Sequence, residues 1–229
     1  MPDYENEKRI AAHAAIEKIE EGMVIGLGSG STAAYAIRAI GELVSKGKKI
    51  VGVPTSVESE ALARSVRIPL TTLDDHPTLD LTVDGADKFS QNLDLIKGGG
   101  GALLREKIVA AASQRILIIV DSRKQENPLG GFPVPVEVIP FGVLPIMKRF
   151  NELNLKPKIR RQKSKTYLPF ITDEGNLIVD LDVENIPCIK TLTHQLDFPG
   201  VVEHGLFLDL ADEVYMGVGD QVEVFHRKS

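Results

Sequence analysis

Four short apolar runs, at residues 23–27, 50–53, 79–83 and 116–120, alternate with segments of helical character, and this alternation constrains the fold most. Parallel strands need a crossover between them, and a helix is the usual one, so strand and helix in alternation predict a parallel sheet. The run at 116–120 reads Ile-Leu-Ile-Ile-Val, apolar at every position, as a strand covered on both faces requires. Helices are predicted over 5–20, 32–45 and 57–65, the last with Ser56 as its N-cap. Another is predicted from the end of a glycine run at 98–101 to Ala112, with Leu104, Ile108 and Ala111 on one face. A further short run at 70–73 also reads as extended.

The texture changes near Leu129, where Gly and Pro become frequent, as at a domain crossing. Beyond lie a predicted helix at 143–153, a basic stretch at 156–165 and two extended segments around Gly175 and Asn176. From Gly205 the chain is apolar again, with two strands near the C-terminus returning to the main sheet. The expected fold is α/β: a Rossmann-like, mostly parallel sheet with helices on both faces, plus a smaller inserted α+β domain. Residues 1–129 and 206–229 form the main domain in this reading, and 130–205 the smaller one.

A net charge of −5 argues against a nucleic-acid surface or an anionic membrane as partner. The basic stretch at 156–165 lacks interleaved aromatics and reads as a solvated face. No apolar run approaches the roughly 20 residues that span a bilayer, and the acidic N-terminus is unlike a signal peptide. A single cysteine, Cys188, excludes an intrachain disulfide and reads as a buried core thiol in a cytoplasmic protein.

Two glycine-rich turns carry chemistry. Gly26, Gly28 and Gly30 follow the first strand, but Ser31 stands where a dinucleotide fingerprint needs its third glycine. The second strand also ends without the acidic residue that would hold a ribose hydroxyl, so a nicotinamide cofactor is not expected. Ser29, Gly30, Ser31 and Thr32 instead offer hydroxyls and amides to a phosphate or sugar at a helix N-terminus. The second turn, Lys97-Gly98-Gly99-Gly100-Gly101, puts bare amides and a cation ahead of a helix that carries Glu106.

Asp84-Gly85-Ala86-Asp87 ends the strand at 79–83, at the sheet edge where open α/β folds bind ligands. Taken alone, both aspartates could serve an Asx turn or hold Mg²⁺, and Glu106 could be an exposed helical charge. An anion cradle beside carboxylates points instead to proton transfer on a phosphorylated small molecule.

The blocks G-L-G-S-G-S-T-A-A at 26–34, D-G-A-D at 84–87, K-G-G-G-G-A-L-L-R-E-K at 97–107 and V-D-S-R-K at 120–124 resemble type A ribose-5-phosphate isomerases. P-V-E-V-I-P-F at 135–141 and P-G-V-V-E-H-G-L-F at 199–207 extend the resemblance along the chain. It implies an aldose–ketose isomerase that interconverts ribose 5-phosphate and ribulose 5-phosphate through an enediolate, with no cofactor. Glu106 is then the catalytic base, with Lys97, Asp84 and Asp87 assisting. Lys8, Ser29–Thr32, Asp84, Gly85, Ala86, Asp87, Lys97–Gly100 and Lys124 fall on substrate-binding positions. The resemblance further implies a homodimer or homotetramer. Arg123 departs from the family by replacing a smaller residue beside Lys124. Related deaminases and CoA transferases could share the fold and glycine loops, but the pairing of D-G-A-D with the glycine run favours the isomerase, and the intact set of reacting groups disfavours a non-catalytic sugar-phosphate sensor.

Overall fold

The computed structural model describes residues 2–183, 186 and 188–227. Its centre is a six-stranded sheet built from β1 (Val24–Leu27), β2 (Val51–Pro54), β3 (Leu81–Gly85), β6 (Ile116–Asp121), β12 (Glu213–Val218) and β13 (Gln221–His226). The spatial order is β13-β12-β6-β3-β1-β2, parallel throughout except for the final β12–β13 hairpin. The mostly parallel α/β fold expected from the sequence is therefore the fold found.

Strand period 2 explains the two cores. Leu117 and Ile119 of β6 face one side of the sheet, where they join Ile25, Leu27, Leu81 and Val83 beneath α1 (Tyr4–Ile16), α2 (Gly30–Ser45) and α3 (Val57–Ser65). Ile116, Ile118 and Val120 face the other side, against Phe89, Leu95, Phe207 and Ala110 of α4 (Leu103–Ala111). That side also carries a small sheet of β4 (Lys88–Phe89), β5 (Leu95–Ile96) and β11 (Leu206–Phe207), in the order β11-β5-β4.

A separate four-stranded antiparallel sheet contains β7 (Val134–Val138), β8 (Pro157–Ile159), β9 (Leu177–Leu181) and β10 (Val201–His204), ordered β10-β7-β9-β8. Its apolar face, with Val134, Val136, Val138, Val179 and Leu181, packs against Ile146 and Phe150 of α5 (Val143–Glu152) and Leu192 and Leu196 of α6 (Ile189–Leu196). Among the described residues no helix is long and apolar enough to cross a membrane.

Four expectations are corrected. Residues 70–73 form no strand; Leu70 makes a single parallel bridge to Gly52. The first helix stops at Ile16, not Glu20. Cys188 is exposed at the N-cap of α6 rather than buried, because α6 turns Leu192 and Leu196 inward and leaves the capping residue before it outside. The face of α4 that packs inward carries Leu103, Glu106, Val109 and Ala110, while Ile108 is 48% exposed. The apolar count favours Leu104 and Ile108, but Glu106 takes the inward face and brings Leu103 and Val109 with it.

Candidate active site

Strand order fixes where a ligand can sit. β2 lies on one side of β1 and β3 on the other, so the chain departs in opposite directions from β1 and a crevice opens beyond the carboxyl ends of β1 and β3. The loop after β1 carries Ser29–Thr32 and the loop after β3 carries Gly85–Asp87. Both line a cleft of about 310 Å³ whose walls also include the glycine run, Glu106, Lys8 and Lys124. Every site residue expected from the sequence borders this cleft except Asp84, which lies just behind Lys97.

At the floor, the Lys97 ammonium is 3.0 Å from Asp84 Oδ2 and 3.4 Å from Glu106 Oε2, and it donates to the Gly85 carbonyl. All three side chains are nearly inaccessible. Burial alone would push the lysine down, but the Asp84 and Glu106 carboxylates outweigh it and hold it above its ordinary value. It is a permanent cation. Glu106 is pushed up to about 8, first by burial and then by the nearby Asp84 and Asp87 charges, against the pull of Lys97. Its Oε2 meets the Lys97 ammonium only at the long distance of 3.4 Å and has no closer hydrogen-bond partner among the described residues.

The two aspartates divide. Asp84 is 2% exposed, and its Oδ1 accepts from the Ser29 amide at 3.0 Å and the Gly85 amide at 2.7 Å. It thereby ties the β1 loop to the β3 loop and orients Lys97. Asp87 lines the cleft, and its Oδ2 accepts from the Gly99 amide at 2.7 Å. Close approach explains two glycines here: a Cβ at Gly28 would lie 2.2 Å from Asp84 Oδ1, and one at Gly99 2.4 Å from Asp87 Oδ1. Gly98 and Gly101 adopt positive φ, 91° and 94°, which bends the run back into the start of α4.

Two further cations, Lys8 and Lys124, border the cleft. Lys8 reaches from α1 to Ser31 Oγ at 3.2 Å and to Glu5 Oε1 at 2.7 Å. The helix is held there by Glu7, whose carboxylate accepts from the Ser122 amide and hydroxyl and from the Gly219 amide. Burial would raise Glu7, but these amide donors hold it below its ordinary value. Lys124 ends a short 3-10 turn, Ser122–Lys124, that follows β6. Ser29 occupies the N-cap position of α2 without a side-chain cap bond; its hydroxyl meets Thr55 and Ser56, each at 2.7 Å.

With this geometry in place, the comparisons with known proteins are decisive. The family model for ribose 5-phosphate isomerase A (phosphoriboisomerase A) matches residues 51–221. The chain belongs to the ribose 5-phosphate isomerase A family. It is 48% identical over 224 residues to the ribose-5-phosphate isomerase A of a Ruegeria species, a match covering 95% of this chain and 86% of that one. A solved D-ribose-5-phosphate isomerase in complex with phospho-erythronic acid superposes with a TM-score of 0.94 at 41% identity, covering 98% of this chain and 100% of that one. The ribose 5-phosphate isomerase A of Methanocaldococcus jannaschii follows with a TM-score of 0.90 at 38% identity, covering 96% and 97%.

Several residues of this isomerase-family cleft escape the sequence reading. Ser56, Glu58, Arg123, Phe170 and Asp173 also line it. Ser56 is the N-cap of α3, as predicted, within a full capping box, and contacts Ser29 besides. Arg123 is held by both Asp121 oxygens and stacks on Tyr4 at 3.8 Å from the ring centre. Phe170 and Asp173 arrive from the region before β9, and no local pattern marks them as site residues. His204 does not line the cleft; burial and the neighbouring Lys107 push it down to about 4. The Asp84–Asp87 metal site considered from sequence is disfavoured, because the Lys97 ammonium sits between Asp84 and Glu106.

Proposed function

We propose that this protein interconverts D-ribose 5-phosphate and D-ribulose 5-phosphate, a step of the non-oxidative pentose phosphate pathway, by proton transfer through an enediolate. The observation that carries this reading is the buried Glu106 carboxyl, 3.4 Å from the Lys97 ammonium, on a cleft that Lys8, Ser31 and Lys124 also border. A carbon acid next to a carbonyl needs a positioned base, and the oxygen that becomes negative needs fixed donors.

In this account the open-chain sugar lies with its phosphate against Lys8, Ser31, Thr32 and Lys124, aided by the N-terminus of α2. Glu106 removes the C2 proton, the C1 carbonyl oxygen gains the charge, and Lys97 with the Gly100 amide holds it. Glu106 then returns the proton to C1 while a hydroxyl proton passes from O2 to O1, which leaves the C2 ketone. Asp87, which borders the cleft, is assigned the hydroxyl protons and ring opening. Asp84 keeps Lys97 and the β1 loop in place. The Gly99 and Gly101 amides are engaged by Asp87 and the Gly98 carbonyl, and the Gly100 amide, which borders the cleft, is the one assigned to the substrate.

We further infer that residues 1–129 with 206–229 act as the catalytic domain and 130–205 as a smaller one. Self-association as a dimer or tetramer is supported by the exposure of Phe141 (100%), Leu144 (74%) and Ile139 (47%). The lone cysteine fits a cytoplasmic setting. The reading is tested by mixing the purified protein with ribose 5-phosphate and excess EDTA and following the ketose. Turnover unaffected by the chelator is expected; turnover that depends on added Mg²⁺ would recast Asp84 and Asp87 as metal ligands.

A further inference from the structure

The basic stretch at 156–165 reads from the sequence as a solvated face, yet one member is not solvated. Arg160 follows β8, and its side chain is only 14% exposed. Its Nε donates to Asp180 Oδ2 at 2.9 Å and its Nη2 to Asp180 Oδ1. Asp180 belongs to β9, so the guanidinium takes its orientation from the small antiparallel sheet. The remaining nitrogen, Nη1, reaches across to the glycine run and donates to the carbonyls of Gly98, at 2.9 Å, and Gly99, at 3.2 Å.

A trans peptide is planar, with its C=O and N–H pointing in opposite directions. Holding the Gly99 carbonyl toward Arg160 therefore turns the Gly100 N–H the other way, toward the cleft that Gly100 borders. Holding the Gly98 carbonyl does the same for the Gly99 N–H, which meets Asp87 Oδ2. A cation on these carbonyls also polarises the amides behind them. Glycines bring no side chains of their own to fix such peptides, and an unbraced run of four would sample many orientations.

We propose that Arg160 is a positioning residue for the isomerisation: from outside the cleft it sets the peptides that present the Gly100 amide to the enediolate oxygen and the Gly99 amide to Asp87. This rests on the isomerase reading above. It makes the small sheet part of the site's preorganisation, because Asp180 holds the arginine.

The test compares wild type with Arg160→Met, Arg160→Lys and Asp180→Asn, measuring kcat and KM for ribose 5-phosphate, inhibition by phospho-erythronic acid and thermal midpoint. In Arg160→Met, kcat falls about 10- to 100-fold, as for a mispositioned oxyanion donor. KM moves less than about threefold, and the inhibitor, whose planar carboxylate resembles the enediolate, weakens in step with kcat/KM. Arg160→Lys keeps the charge but not the planar fork, and stays within about fivefold of Arg160→Met. Asp180→Asn changes kcat in the same sense by a smaller factor, and it carries the test alone should Arg160→Met not fold. A folded Arg160→Met or Asp180→Asn with kcat within about twofold of wild type and only a lower thermal midpoint overturns the proposal. Full activity in Arg160→Lys does so too. Absence of isomerisation in wild type overturns the isomerase reading itself, and is seen before any variant is compared.

Discussion

Burial first, and then the charges of Asp84 and Asp87, push Glu106 up against the pull of Lys97, so it holds its proton well above the ordinary glutamate range. A base must be ionised to accept from carbon, so kcat/KM should rise with pH through an apparent value well above the ordinary 4.5, near 8, and then level off. A limb near 4.5 in the pH profile would contradict this. Glu106→Gln should cut kcat by about 100-fold or more while substrate affinity changes little. The same shift acts on stability. The folded carboxyl binds its proton more tightly than the unfolded one, so its stabilising contribution is full below pH 4.5 and is lost as pH rises to about 8. Thermal midpoints of Glu106→Gln should accordingly gain on wild type across that window, and a constant gap would count against the raised value. These residues were legible because Lys97, the glycines and Glu106 lie within one short stretch. Arg160 was not, since the carbonyl it holds is 62 residues away and the basic residues around it read as surface.

At the scale of elements, the site depends on how closely strands and loops approach. Gly28 leaves room for Asp84: a Cβ there would lie 2.2 Å from its carboxylate and 2.5 Å from its backbone Cα, which a rotamer change cannot relieve. Gly28→Ala should cost about 2 kcal/mol by denaturant unfolding and lower kcat/KM at least about 10-fold. Gly100→Ala meets nothing within 4 Å and should stay within about 0.5 kcal/mol of wild type in stability. α4 is moored by Lys107, which donates to Glu203 Oε1 and to the carbonyls of His204 and Leu206. Burial pushes Lys107 below its ordinary value. Lys107→Met should cost about 2 kcal/mol, since it strands a partly buried carboxylate and two carbonyls, and an unchanged midpoint of unfolding would contradict that role. The strands and helices of the main sheet were readable from apolar runs and turn residues, apart from the run at 70–73 and the end of α1, but the orientation of α4 was not. Its inward face carries a glutamate, and hydrophobic periodicity has no means of choosing a charged residue over Ile108.

For the whole molecule, the strand order β2-β1-β3 places the two loop clusters side by side, and no residue-level feature of the sequence states that order. The α/β class followed from alternation, and the cleft's location followed from the class. What lay beyond reach was the contribution of the segment between β8 and β9, from which Phe170 and Asp173 reach the cleft and Arg160 reaches the glycine run behind it. The measurement that most directly tests the central claim is isomerisation of ribose 5-phosphate in D₂O with EDTA, comparing wild type with Glu106→Gln and reading the product by proton NMR. Wild type should form ribulose 5-phosphate, its C1 carrying solvent deuterium only as far as Glu106 exchanges its proton before returning it, and Glu106→Gln should be slower by about 100-fold or more. No ketose from wild type, or an undiminished rate in Glu106→Gln, would contradict the account.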